Sequence, residues 1–275
     1  MGPDAQTELA LMSHVDFMRE ASARTPGGAV EEGDGTFLYA GPHPLPMFVN
    51  GAVRTEPAVP AHRVVDRAQA FFRGRNRGFS VYALVGRDED LIEAADRAGL
   101  TAFNDPAPLM VLNGSVPPSD LPADVRIEGV TTPKHVSDAA AVCADAYAVY
   151  GMQADVAPAC LTPRTMLVPN MAAVVAYDPE GPVATASALV TRGVSYISWV
   201  GTAQRAMRRG LGDGVTRAAT AAGNDLGADT TALLASPMGA PVYRSMGFAD
   251  VGRLASRVAM APSRRRVRSE GAAGW

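Results

Sequence analysis

Three apolar segments at 171–177, 183–191 and 194–200 lie so close together in the chain that antiparallel hairpins are favoured. They are joined by Asp178-Pro179-Glu180-Gly181 and by Arg192-Gly193. Turn-forming links this short reverse the chain at once, whereas a parallel pair needs a crossover of about a dozen residues or more. A crossover follows. Residues 209–226 are Ala-rich with helical spacing and lead to a buried-type strand at 230–235, which is expected to run parallel to the strand before the helix. A short helix at 241–246 stopped by Gly247 and a last strand at 250–260 complete the run. Upstream, 125–128 alternates like a strand, 134–150 reads as a helix opened by Thr132-Pro133, and 163–168 as a second short helix. The order β–αα–βββ–α–β–α–β predicts a mixed, mostly antiparallel sheet flanked by helices.

The first half repeats that order more faintly. Helices are expected at 6–23, 60–73 and 88–98, the last closed by Gly99, and strands at 35–41, 47–53, 79–85 and 109–112. Between the halves, the stretch from Asn113 to Pro122 holds three prolines and no apolar periodicity, the pattern of a semi-stiff linker. The expected organisation is a unit at 1–113, a linker at 114–124, a second unit at 125–262 and a basic, frayed tail at 263–275. A chain of 275 residues that is 47% hydrophobic has apolar material for two modest cores.

Composition excludes several chemistries. Two cysteines, Cys143 and Cys160, and four scattered histidines supply neither a disulfide framework nor a metal-ligand cluster, so no metal is expected. No run approaches the roughly 18 uncharged apolar residues of a membrane helix, and Asp4 and Glu8 stand where a leader would be basic. A cytoplasmic protein without membrane contact is the expectation. Residues 1–120 hold 16 acidic and 10 basic residues and residues 121–275 hold 12 and 15. The excess in the second half comes from Arg264, Arg265, Arg266 and Arg268, so neither body has the basic face that nucleic acid requires. Phe71-Phe72 followed by Arg73, Arg75 and Arg77 reads as a helix end with cations in its last turn.

The chemistry concentrates at 199–214. Trp199-Val200-Gly201-Thr202 leaves a strand, and a basic, glycine-rich turn through Met207-Arg208-Arg209-Gly210-Leu211-Gly212-Asp213-Gly214 enters a helix. Glycines admit close backbone approach, and a helix N-terminus presents unpaired N–H groups and partial positive charge. The segment therefore suits a phosphate or pyrophosphate, with Arg205, Arg208 and Arg209 as side-chain partners. It lacks the GxGxxG spacing of a dinucleotide fold and the Gly-Lys-Ser/Thr of a P-loop. A plain strand-to-helix loop with solvated arginines is the competing reading.

Together with Ala235-Ser236-Pro237 and the closing Tyr243-x-x-x-Gly247-Phe248, this block resembles the GCN5-related N-acetyltransferase (GNAT) superfamily over residues 125–260. The first half, including Asn50 and 71–78, resembles a degenerate copy without the glycine turn. The resemblance thus implies two α/β (α+β) domains in tandem and one working site, similar to mycothiol synthase-like enzymes. It implies acetyl-CoA as co-substrate. The backbones of Val200, Gly201 and Thr202 would pair with its pantetheine arm. The turn Met207, Arg208, Arg209, Gly210, Leu211 and Gly212 would hold its pyrophosphate. Met207 stands where relatives carry Arg or Gln, and a register starting at Arg209 and using Gly212 and Gly214 is the alternative. Ser236 replaces a cofactor-contacting Asn.

Tyr243 is implied as the acid that protonates the leaving thiolate, a role a phenol with pKa near 10 can fill. Ordinary core packing is its competing reading. No carboxylate lies on 194–199, so the amine is expected to lose its proton through water held by Tyr196 and Ser198, or to arrive neutral. Tyr147, Tyr150 and Gln153 fall where acceptor-binding loops lie in such enzymes, with core packing again the alternative. The partner implied is a small-molecule or peptide amine, and a homodimer is left open. A non-catalytic acyl-CoA-binding module is the rival function.

Overall fold

The computed structural model describes residues 2–261. The first half runs α1 (Pro3–Arg24), β1 (Ala29–Gly33), β2 (Thr36–Ala40), β3 (Asn50–Arg54), α2 (Ala61–Arg73), β4 (Phe79–Leu84), α3 (Glu89–Arg97), β5 (Thr101–Ala102) and β6 (Ala107–Asn113). The second runs β7 (Arg126–Gly129), α4 (Pro133–Tyr147), a 3₁₀ turn (Ala148–Tyr150), α5 (Val156–Cys160), α6 (Pro163–Met166), β8 (Met171–Asp178), β9 (Gly181–Thr191) and β10 (Val194–Thr202). A second 3₁₀ turn (Gln204–Ala206), α7 (Leu211–Asp225), β11 (Thr230–Leu234), α8 (Ala240–Ser245) and β12 (Ala249–Ala259) complete it. The expected basic tail lies outside the described residues.

The expected mixed sheet flanked by helices is present, but the strands of both halves merge into one sheet, in the order β1-β2-β3-β4-β12-β6-β11-β10-β9-β8-β7. Each half contributes its last strand to the other. β6 pairs antiparallel with β11, from Asn113 opposite Thr230 to Leu109 opposite Leu234. β12 pairs antiparallel with β4, from Leu84 opposite Leu254 to Phe79 opposite Ala259. β12 and β6 also pair with each other and close the seam. Each half keeps one parallel pair bridged by a helix, β3 with β4 around α2 and β10 with β11 around α7.

Alternation along the strands sorts side chains to two helical layers. Phe37, Tyr39, Tyr82, Leu109, Ala232 and Tyr196 face α1, whose Ala10, Leu11 and Val15 are fully buried. Leu38, Ala52 and Val81 face α2 and α3, and Met110, Ile197 and Leu233 face α7 and α8. Burying each large side chain contributes about 1.5–3 kcal/mol, which fixes the sheet in register on both faces.

The proline-rich stretch after β6 is bound rather than free. Val116 is buried in the second half's core, Arg217 Nη1 donates to the Pro117 carbonyl at 3.0 Å, and Leu121 packs on α7 at Gly214. A Cβ on Gly214 would come within 2.5 Å of the Leu121 side chain, so glycine there permits the contact. The two halves also differ at the ends of their parallel pairs. Where β10 runs into a glycine turn, β3 ends at Arg54, which is buried and bonded to Asp88 at 2.7 Å, to Asp90 at 2.6 Å and to the Val59 carbonyl at 3.2 Å.

Candidate functional site

β10 and β11 are paired only from Val194 opposite Thr230 to Ile197 opposite Leu233. Beyond that point they part. β10 stays with β9 to Thr202, while β11 stays with β6 and Ala235 N–H donates to the Pro108 carbonyl at 2.8 Å. The register of β10 against β9 slips between Ser198 and Gly201, and Trp199 within that bulge has φ +51°. A bulky side chain in the left-handed region is strained, and such strain concentrates at ligand sites. Val200, inside the bulge, has no register partner on either neighbouring strand. Gly201 lets α4 lie close, since a Cβ there would sit 3.1 Å from Ala146 Cβ.

The glycine turn stands at the mouth of this gap. Gly210 is left-handed at φ +77°, and α7 starts at the next residue, with Leu211 buried as its anchor. Gly214 N–H is bonded to the Gly210 carbonyl at 3.1 Å, so the N–H groups of Leu211, Gly212 and Asp213 precede the helix's own ladder. Gly212 faces the end of β10, its Cβ position 3.4 Å from Thr202 Oγ1. Met207 and Arg208 are exposed. Two of the three arginines expected to meet a phosphate are already paired. Arg205 holds Asp178 at 2.7 Å, and Arg209 holds Asp124 at 2.7 Å and Asp178 at 3.4 Å. Hydrogen bonding from Arg205 lowers the Asp178 carboxyl to about 2. Arg208 makes no ion pair among the described residues, which leaves its guanidinium to solvent or ligand.

Aromatic groups stand on both faces of the sheet near the point where the strands part. Tyr243 comes from α8 on the α7 side and is buried, 5.9 Å from the Phe248 ring centroid. Gly239 makes room for it, for a Cβ there would lie 2.8 Å from the ring. Tyr147 comes from the end of α4 on the other side and touches Trp199 edge-on at 5.9 Å, Phe48 at 6.2 Å and Tyr150 at 6.2 Å. Burial raises the Tyr243 phenol above its ordinary range, and the nearby Tyr150 adds to the shift. Burial also raises the Tyr147 phenol, with contributions from Cys143 and then Tyr243. Tyr150 Oη is buried and has no hydrogen-bond partner among the described residues.

The remaining residues singled out in the sequence are dispersed. Ser236 Oγ accepts from Gly239 N–H at 3.1 Å and caps the turn before α8. Gln153 is exposed. The two strand hydroxyls expected to hold a water have protein partners. Ser198 Oγ lies 2.9 Å from Ser187 Oγ, and the Tyr196 hydroxyl lies 2.7 Å from His14 Nδ1 inside the core. Cys143 is fully buried with its thiol pushed up by burial, and Cys160 is pushed up to about 12 by the same cause. Sequence reasoning missed Phe48 and read Trp199 only as the end of the strand before the glycine turn. Phe48 belongs to the first half and has φ +68°, a conformation no local pattern announces. Among the described residues no group of His, Cys, Asp or Glu could hold a metal ion, and no helix is long and apolar enough to cross a membrane.

The chain matches no protein-family model and no curated protein. Among solved structures it is similar to a GCN5-related N-acetyltransferase from Kribbella flavida, with 21% identity, TM-score 0.67, 90% of this chain and 94% of that chain covered. A tandem GNAT protein from the clavulanic acid biosynthesis pathway matches with 13% identity and TM-score 0.57 over 94% of each chain. A GCN5-related N-acetyltransferase from Sphaerobacter thermophilus matches with 10% identity and TM-score 0.56, covering 85% of this chain and 82% of that one. At these identities the likeness defines the fold, which is that of a tandem GNAT protein.

Proposed function

We propose that the chain is an acetyl-CoA-dependent N-acetyltransferase acting on a primary amine, and that its second half carries the working site. The observation that carries this reading is the parting of β10 from β11 after Ile197, directly beside the N-terminus of α7. The gap exposes strand backbone to a ligand that can extend a sheet edge, and the helix N-terminus favours the anionic end of the same ligand. The buried, unpartnered Tyr150 hydroxyl fits a bound polar group.

Val200, Gly201 and Thr202 would hold the pantetheine arm through their backbone. The turn from Met207 to Gly212 would hold the pyrophosphate, with Arg208 as its side-chain cation and Ser236 at the edge. Acetyl-CoA supplies an acetyl group activated as a thioester, so the chain needs neither a metal nor a nucleophile of its own. Tyr243 keeps its proton across the neutral range because burial opposes ionisation, and its Oη can give that proton to a thiolate. Backbone N–H near Val200 stabilises negative charge developing on the carbonyl oxygen. β10 bears no carboxylate, so the amine arrives neutral or loses its proton to water. The first half is read as lacking a second cofactor site, since Arg54 and its carboxylates occupy the end of β3.

A non-catalytic acyl-CoA-binding module is the second reading, favoured by Met207 in the turn and by the absence of a carboxylate on β10. Calorimetry with acetyl-CoA followed by a thiol-release assay over a panel of primary amines separates them. The enzyme binds acetyl-CoA and releases thiol with at least one amine. Binding without turnover on any amine supports the module, and no binding overturns both.

A further inference from the structure

We propose that the acceptor amine binds in a slot between the two halves of the chain and carries an apolar body, an aromatic ring or short hydrocarbon, beside its amino group. This rests on the acetyltransferase reading above. The slot, a cavity of about 40 Å³ that opens to solvent, lies between α1, the segment before β3, and α6 with the start of β8. Phe17, Met18, Phe48, Met166 and Met171 form its walls, and Trp199 lines it where it meets β10. Methionine and aromatic surfaces suit a planar or flexible apolar group. The charged residues on its lining, Glu20 and Arg24, are bonded to each other at 2.5 Å, so the slot has no free charge with which to select a polycation.

Two observations connect the slot to the reaction. Trp199 precedes Val200 in the bulge, so an amino group at the Trp199 end lies next to the backbone that β11 leaves unpaired. Phe48 and Trp199, two bulky residues held at φ +68° and +51°, flank Tyr147 at 6.2 Å and 5.9 Å. Burial raises the Tyr147 phenol, and Cys143 and then Tyr243 add to that shift. The strained pair therefore spans the junction between the slot and the tyrosines, with one member from each half. The first half on this view is part of the acceptor site, even though it holds no acetyl-CoA.

The full chain carrying Trp275→Phe keeps Trp199 as its single tryptophan. Its emission is titrated with 2-phenylethylamine and with ethanolamine, and the same amines and 1,4-diaminobutane are compared by thiol release. Expected are a saturable emission shift with 2-phenylethylamine alone and a kcat/KM for it at least tenfold above the other two. Ala21→Phe, which fills the slot from α1, raises KM for 2-phenylethylamine about tenfold or more while acetyl-CoA binding by calorimetry is unchanged. Met18→Glu, at a partly exposed wall position, gives the same loss if Ala21→Phe does not fold. Equal use of ethanolamine or 1,4-diaminobutane, or a silent Trp199 alongside normal thiol release, overturns the slot alone. Absent acetyl-CoA binding overturns the enzymatic reading, while a Trp199 shift with 2-phenylethylamine would still identify the slot as an amine site.

Discussion

The Tyr196 hydroxyl lies 2.7 Å from Nδ1 of His14, joining β10 of the second half to α1 of the first across 182 residues of chain. Both side chains are buried, at 4% and 2% exposure, and Phe17 stacks on the Tyr196 ring at 5.2 Å. The contact is one of several that make the halves a single body, and it places an ionisable group where protonation is costly.

Burial lowers His14 from 6.5 to about 4, and Nε2 has no partner to hold a second proton. Between these values the unfolded chain binds more protons than the folded one. The stability linked to His14 is therefore fully present above pH 6.5 and is lost as pH falls toward 4, by up to about 3 kcal/mol. Urea midpoints measured from pH 7.5 to 4.5 should fall, and His14→Phe should fall less over the same interval. Equal slopes for the two proteins would remove His14 as the cause.

Tyr243→Phe removes the proton at Oη while keeping the ring against Phe248. Thiol release should drop about 10²-fold or more with acetyl-CoA affinity unchanged. Because burial raises this phenol above its ordinary range, its ionisation should produce no loss of kcat up to pH 10. A fall in kcat near pH 8 that disappears in Tyr243→Phe would contradict the placement of the acid.

Gly210 occupies the left-handed region at φ +77°, and Gly227 does so at φ +92° beyond the other end of α7. An alanine at either position costs about 1 kcal/mol, read as a few degrees in a thermal melt. Only Gly210→Ala should also weaken acetyl-CoA, several-fold by calorimetry, because it moves the first amides of α7. Matching affinities for the two variants would mean that the turn does not hold the ligand.

Asp88 is 1% exposed and Arg54 is 2% exposed, whereas the Asp90 side chain is 59% exposed. Asp88→Ala leaves the buried Arg54 guanidinium with only the exposed Asp90 as counter-ion and takes the same carboxylate from Arg87, and should cost about 3 kcal/mol in urea unfolding. Asp90→Ala, with water available to replace the carboxylate, should cost about 1 kcal/mol or less. Arg54→Met with Asp88→Leu should recover much of the single-variant loss, since Asp90 then faces water and Arg87 keeps Glu8.

Most elements were legible because their signals are local. The meander of β8, β9 and β10 follows from two short turns, and the parallel β10–β11 pair follows from the helix between them. Three elements escaped. β1 is an edge strand whose Glu31 and Glu32 face solvent, β5 has two exposed residues, and α5 has five residues with a proline among them. None has an apolar face long enough to show periodicity. The turn residues of the site were legible for the same local reason, as a strand, glycines and a helix start in sequence. The slot was not, because its walls come from segments 17–25, 41–49, 160–171 and the single residues Leu189 and Trp199.

The sequence by itself determined the type and order of nearly every element, the repeated α/β pattern and the glycine turn, since these depend on residues within a few positions of each other. Only the tertiary structure decided which strands share a sheet and which side chains meet. β6 and β12 pair across the seam, where Met110 joins the core under α7 and Leu109, Val111 and Leu254 join the core under α1. Likewise the bulge at Trp199, the strain at Phe48 and the bond from Tyr196 to His14 belong to contacts made over long stretches of chain. Such contacts form where burial outweighs the entropy of closing the loop, a balance that no window of sequence contains.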